Sequence, residues 1–448
     1  MKEIEMTKTY DYDVLYIGSG HGTFDGAIPL AKTGKKVGVI ETDMIGGTCP
    51  NYGCNAKIAL DEPVVLKRAV ESLTSITTAD LQIDWQQNVN NKSRIIKPLP
   101  VMISNLLVKS GVEVINGYGK FIDNHTIAVN DDVKTAEKIV IATGLHPHRL
   151  EILGKELAHD SRDFMSLEEL PEKIAIIGSG YISMEFATIA NAAGSKVTVF
   201  MHGNQALRQF YTPYVNQVVN DLEKRGVSFI QNANVSSFTE TDQSKVVHYA
   251  DGQELEVDFI LDASGRVPNV DNMGLDKIGV KYNKNGVEVN GFLQTTIENI
   301  YASGDVIDKN QPKLTPTAIF ESTYLFNLFS GKISSEIHYP VIPSVVFTSP
   351  RIAKVGVDID SKESEVYEIQ ENDLKNDWYR QVANDKLAQN RLIFDQRHHL
   401  VGVTEISEQA ENSVNSLLPA IEFKFSPSDV NRLVHIFPSI GAASWGQI

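Results

Sequence analysis

The chain strings short, continuous apolar runs between glycine-rich turns and helix-length stretches. Val14-Leu15-Tyr16-Ile17 is bounded by Asp13 and Gly18, the pattern of a strand buried on both faces. Gly18-Ser19-Gly20-His21-Gly22-Thr23 follows, then a helix-like segment to Lys32 and a second apolar run, 36–41, that ends in Glu41. The order returns further on. Lys173-Ile174-Ala175-Ile176-Ile177 leads into Gly178-Ser179-Gly180-Tyr181-Ile182-Ser183, a helix over 184–193 and a strand over 196–200. Strand, glycine turn, helix, strand is the βαβ unit, in which a pyrophosphate rests on the helix N-terminus. Two such units predict two nucleotide ligands, or one fold duplicated with one site lost. Residues 61–110 predict mostly helix, 112–115 and 126–129 short strands, and 138–144 a strand running into a glycine turn. From about Tyr339 the character changes. Apolar segments at 392–394 and 400–403 predict an antiparallel sheet with helices.

Composition narrows the partners. A length of 448 residues suggests two to four domains, and a hydrophobic content of 42% allows a full-sized core. The net charge of −16, without a basic block, argues against nucleic acid and anionic membranes. No apolar run reaches the ~18 residues of a spanning helix. The charged Met1–Met6 segment lacks a signal-peptide apolar stretch.

Both cysteines of the chain, Cys49 and Cys54, fall in one six-residue window. Residues five apart on a regular helix have Cα atoms roughly 8 Å apart, and a disulfide needs about 7 Å or less. A bridge here requires a distorted turn, which Pro50 and Gly53 can supply. Ile58-Ala59-Leu60-Asp61 reads as helix, and a thiol at a helix N-terminus ionises more easily. The spacing points to a redox dithiol in a reducing cytosol, against two buried structural cysteines.

Gly46-Gly47-Thr48-Cys49-Pro50-Asn51-Tyr52-Gly53-Cys54 resembles the active-site motif of the pyridine nucleotide–disulfide oxidoreductases, the family of glutathione reductase, dihydrolipoamide dehydrogenase and mercuric reductase. The resemblance implies an α/β fold with two Rossmann-like dinucleotide-binding domains and a C-terminal α+β dimerisation domain. The implied segments are 1–147 and 272–338 for FAD, 148–271 for the nicotinamide cofactor and 339–448 for dimerisation. FAD would be held by Gly18, Gly20, Gly22, Glu41, Thr48, Gly119, the Ala142-Thr143-Gly144 turn, and Gly304 with Asp305 in the second fingerprint. Gly178, Gly180, Tyr181 and Ile182 would hold the nicotinamide cofactor, with Tyr181 gating its pocket. Gly265 and Arg266 belong to the returning turn. The step of twenty-three residues from Gly18 to Glu41 lands, from Gly178, on Met201. The second unit therefore lacks the acid that would repel a 2′-phosphate. His202 and Arg208 lie just beyond, so NADPH is favoured over NADH. No metal site is expected.

The resemblance departs in two places. The family carries a C-terminal histidine–glutamate dyad that reaches the partner's dithiol. Counted from Pro438, those positions are Phe437 and Ala442, with His435 two residues earlier. The family lysine four residues after the second cysteine is replaced by Ile58, with Lys57 one residue early. Its matching acid, Glu185, is present. Ile28 stands where glutathione reductase has a substrate arginine, and His435 and His21, the latter at the first glycine turn, are the candidate replacement acids. The reading is a homodimeric enzyme passing electrons from NADPH through FAD and Cys49–Cys54 to a small disulfide. Its rivals are a flavin reductase of quinones, oxygen or a metal ion, and a redox-sensing flavoprotein.

Overall fold

The computed structural model describes residues 9–250, 252–359 and 366–448. The Met1–Met6 segment lies outside the described residues. The chain forms two compact units. The first collects residues up to Lys57 with Lys92–Pro147 and Arg266–His338. The second collects Ile58–Asn91, His148–Gly265 and Tyr339–Ile448.

In the first unit the predicted runs become neighbours in one sheet, in the order Val112–Asn116, Val37–Glu41, Tyr12–Ile17, Asp132–Ile141, Thr126–Val129, Gly119–Asp123. Val14 pairs with Val37 and Lys138, and Ile17 with Ile40 and Ile141, all in parallel. Ile300–Ala302 pairs with the same long strand, Ala302 opposite Ile141. The two fingerprints, far apart in sequence, thus end side by side. Leu15, Val39 and Ile139 to Ile141 are almost wholly buried. Burying each such side chain is worth roughly 1.5–3 kcal/mol, and that core holds the two turns in place.

The second unit repeats the scheme. Ser228–Ile230, Lys196–Phe200, Lys173–Ile177 and Phe259–Asp262 form a parallel sheet in that order, beside a three-stranded antiparallel sheet. The helix Tyr181–Ala193 follows the second glycine turn and is buried over most of its length. The same unit carries the expected C-terminal sheet. Its order is Ser344–Val346, Arg351–Gly356, Leu400–Ser407, Gln389–Asp395, Tyr367–Asp373, every neighbouring pair antiparallel. The helix Ala410–Glu422 packs on it through Val414, Leu417 and Ile421. Among the described residues no helix is long and apolar enough to cross a membrane.

Candidate active site

The dithiol sits where two helices meet. Thr48–Tyr52 is a single helical turn, Gly53 breaks it, and Cys54 opens the helix Cys54–Ser72. The break allows the two sulfurs to face each other, which a continuous helix would not. Asn51 holds the preceding loop by donating its amide to the carbonyls of Ile45 (3.0 Å) and Gly47 (2.8 Å). The Cys54 sulfur lies 3.5 Å from Thr315 Oγ1. Thr315 is the first residue of the helix Thr315–Phe329. Two helix N-termini therefore converge on the pair, both favouring negative charge there.

The two thiols are unequal. A hydrogen bond from Cys49, then Thr315 and the nearby Lys57 charge, bring the Cys54 thiol from 9.0 down to about 6 against the cost of desolvation. The Cys49 thiol is pushed up, first because it donates to Cys54 and then by burial. The reduced pair is a thiolate at Cys54 and a proton-bearing thiol at Cys49. Lys57 is itself buried, three residues on along the same helix. Ile58, in the family lysine's position, is 37% exposed.

The residues expected to hold FAD cluster around the first glycine turn. Gly18 has φ +102°, and a Cβ there would lie 2.3 Å from the Ala142 carbonyl oxygen. Only glycine fits this crossing of two strand ends. Gly178, at φ +116°, meets the Ala263 carbonyl in the same way at 2.4 Å, so the two units share their construction in detail. Thr23 stands where a GxGxxG turn has its third glycine; it is buried, and its hydroxyl donates to the Gly18 carbonyl at 2.8 Å. Glu41 accepts from the Ser19 hydroxyl (2.6 Å) and amide (2.9 Å), and from the amides of Thr42 and Asp43. A ribose hydroxyl would have to replace one of these donors, and the Ser19 hydroxyl is the one free to rotate. Ser303 donates to the Gly22 carbonyl at 2.6 Å, joining the two fingerprints. Asp305, beside Gly304, has a buried Oδ1 with no hydrogen-bond partner. An orphaned acceptor next to two glycine turns suits a polyol hydroxyl, and on this observation the residues fit FAD. The Thr143 hydroxyl donates to the Asn269 carbonyl at 2.6 Å and the Asn269 side-chain amide donates to the Thr143 carbonyl at 2.7 Å, fixing that turn. Arg266 donates to the Leu145 carbonyl. Gly119 opens an edge strand and is enclosed by Ile17, Ile40 and Ile127. Thr48 begins the turn that carries Cys49.

In the second unit Gly180 caps the helix that starts at Tyr181 and Ile182. The Tyr181 ring lies edge-on to Phe210 at 5.6 Å. Met201 is buried, while His202 and Arg208 are exposed. Arg208 lies over Gly203, and the Leu207 amide donates to the Ser179 carbonyl at 2.9 Å. That bond ties the Arg208 segment to the second glycine turn. Gly265 accepts from the His148 amide at 3.0 Å. Glu185 accepts from the Phe347 amide at 3.0 Å. His435 is half-buried with its ring stacked on Trp445 at 5.0 Å, and Phe437 is 71% exposed.

Sequence reasoning missed Thr315 and Asp25. Thr315 carried only the weak signal of a Thr-Pro helix start. Asp25 stands four residues after His21, and its carboxylate lies 2.7 Å from His21 Nδ1. Ile28, in the substrate arginine's place, packs against the apolar core.

Residues 12–322 match the family described as pyridine nucleotide-disulphide oxidoreductase, and 342–445 match that family's dimerisation domain. The chain is 29% identical to a glutathione reductase of Nostoc sp., over 96% of this chain and 98% of that protein. It is 30% identical to a dihydrolipoyl dehydrogenase of Staphylococcus aureus, over 96% and 94%. The solved structure of the HOCl-induced flavoprotein disulfide reductase RclA from Escherichia coli superposes with a TM-score of 0.87 at 25% identity, over 97% of this chain and 98% of that one. A dithiol at two converging helix N-termini and two glycine turns of the same construction are what these matches lead one to expect, and the chain belongs to the pyridine nucleotide–disulfide oxidoreductases, whose members use FAD and NAD(P)H.

Proposed function

We propose that this enzyme draws electrons from NADPH and delivers them through FAD and the Cys49–Cys54 pair to a small-molecule disulfide. The observation that carries the reading is the unequal dithiol. Cys54, with Cys49 and Thr315 as hydrogen-bonding neighbours, is the thiolate, and Cys49 keeps a proton and is the attacking group. Bound FAD would supply the two-electron relay between nicotinamide and dithiol, held by the Gly18–Gly22 turn, Glu41 and Asp305. Lys57 adds positive charge beside Cys54, and Glu185 is kept as the family's matching acid by proposal.

NADPH preference is supported by the second glycine turn. The ribose-binding acid is replaced by buried Met201, and Arg208 is held close by the Leu207–Ser179 hydrogen bond. A homodimer is supported by the dimerisation domain and by Val434, Ile436 and Phe437, which are 97%, 83% and 71% exposed in the single chain. The division at 147, 271 and 338 and a cytosolic location belong to the same proposal.

Anaerobic titration with NADPH tests the reading. Wild-type holoenzyme takes up one equivalent of NADPH per protomer more than Cys49→Ser, because the disulfide accepts one further electron pair. Equal uptake, with full acceptor activity in Cys49→Ser, sinks the dithiol route and leaves direct flavin transfer.

A further inference from the structure

A disulfide reductase must return a proton to the thiolate it displaces, and the C-terminal positions that resemble the family dyad hold Phe437 and Ala442. Elsewhere the first unit presents a histidine–carboxylate pair. His21 Nδ1 lies 2.7 Å from Asp25 Oδ2, with side chains 20% and 26% exposed. The imidazole is also held against Phe24, ring centroids 4.5 Å apart. With Nδ1 engaged by the carboxylate, the tautomer and ring orientation are set, and Nε2 is left without a hydrogen-bond partner among the described residues. The turn that leads into the pair packs on the dithiol loop. Gly20, one residue before His21, packs so closely on Gly47, two residues before Cys49, that a Cβ on Gly47 would lie 3.0 Å from the Gly20 Cα. His435, by contrast, is stacked on Trp445 in the second unit.

Resting on the disulfide-reductase reading above, we propose that His21 is the acid–base catalyst of the disulfide half-reaction and that Asp25 is its positioning residue. In the two-electron-reduced enzyme, His21 Nε2 takes the proton of the Cys49 thiol. The Cys49 sulfur attacks one sulfur of the substrate disulfide, forming a mixed disulfide and breaking the substrate S–S bond. The displaced thiolate receives the proton from the His21 imidazolium. The Cys54 thiolate then attacks the Cys49 sulfur, closing the Cys49–Cys54 disulfide and releasing the second thiolate, which takes a proton from solvent. Two electrons leave the dithiol and two enter the substrate. Bound FAD would supply the next electron pair from NAD(P)H.

Leaving-group basicity tests this. Pre-reduced holoenzyme is mixed with an alkyl disulfide, glutathione disulfide, and with an aryl disulfide whose thiolate leaves without a proton. The readout is the ratio of the two single-turnover rates. General acid catalysis typically supplies roughly 10²–10⁴-fold, so His21→Gln should lower the alkyl-to-aryl ratio at least about a hundredfold. Asp25→Asn should lower it by a smaller factor, and Asp25→Glu should restore part of that loss. This second pair keeps the test decisive should His21→Gln fold poorly. An unchanged ratio in His21→Gln, or a fall of the same size in His435→Gln instead, overturns the proposal. Failure of the underlying reading looks different: wild-type enzyme then reduces neither disulfide faster than Cys49→Ser does.

Discussion

The Cys54 thiolate depends on a residue 261 positions away, and removing one hydroxyl tests that dependence. Thr315→Val keeps the shape of the side chain and deletes the donor at 3.5 Å from the Cys54 sulfur. The wild-type thiol is held at about 6, with Cys49 as the first donor, Thr315 next and Lys57 after it. At pH 7 a group of that pKa is roughly nine-tenths ionised. A weak sulfur hydrogen bond to the charged form contributes on the order of one pKa unit. The variant should then be about half ionised at the same pH. The sign follows from which form is bonded: the donor favours thiolate, so its loss moves the titration upward. Thiolate is present above the midpoint and lost as pH falls through it. The measurement is alkylation rate against pH in the Cys49→Ser background, where Cys54 is the sole cysteine and serine can still donate. A midpoint unmoved by Thr315→Val, or one near the ordinary 9.0 before the change, refutes the account of how the thiolate is held.

Arg208→Ala should lower kcat/KM for NADPH by at least about tenfold, a change of roughly 1.4 kcal/mol, and NADH efficiency by much less. Equal losses would make Arg208 a structural residue. Asp305→Ala removes the orphaned acceptor and should weaken FAD binding about tenfold to a hundredfold, read from flavin fluorescence on dilution. Unaltered FAD retention would show that Oδ1 meets no ligand hydroxyl. Burial raises Glu408 from 4.5 to about 7, with Asp385 adding to the rise and the Ser349 hydroxyl opposing it at 2.9 Å. The folded carboxyl keeps its proton where the unfolded one has lost it. Stability therefore falls as pH rises from 4.5 to about 7, by at most about 3 kcal/mol. Glu408→Gln should flatten denaturant midpoints across that window, and an unchanged slope counts against it. Replacing Ile436 and Phe437 together by aspartate should shift sedimentation from dimer toward monomer; a dimer of wild-type stability would place the interface elsewhere.

Much of this protein was determined by its sequence alone, because the deciding constraints are local. Buried parallel strands are apolar throughout, so 14–17, 36–41, 173–177 and 196–200 announced themselves. A turn that must take φ near +102° or +116° admits glycine and little else, so Gly18 and Gly178 were legible without neighbours. Two cysteines five apart with Gly53 between them marked a dithiol, and the absence of an acid at Met201 was visible by counting. Tertiary structure decided what depends on meeting. Thr315 is an ordinary helix-start threonine until chain folding sets its hydroxyl against Cys54. Asp305 is a turn aspartate until its Oδ1 is found buried and unpaired. Thr23 is one more residue of a glycine-rich turn until the fold sets its hydroxyl on the Gly18 carbonyl. Asp25 lay one helical turn from His21, yet a carboxylate at that spacing is usually a solvated surface group. What singled it out was the packing of Gly20 on Gly47, a contact between segments far apart in the chain that no local pattern encodes.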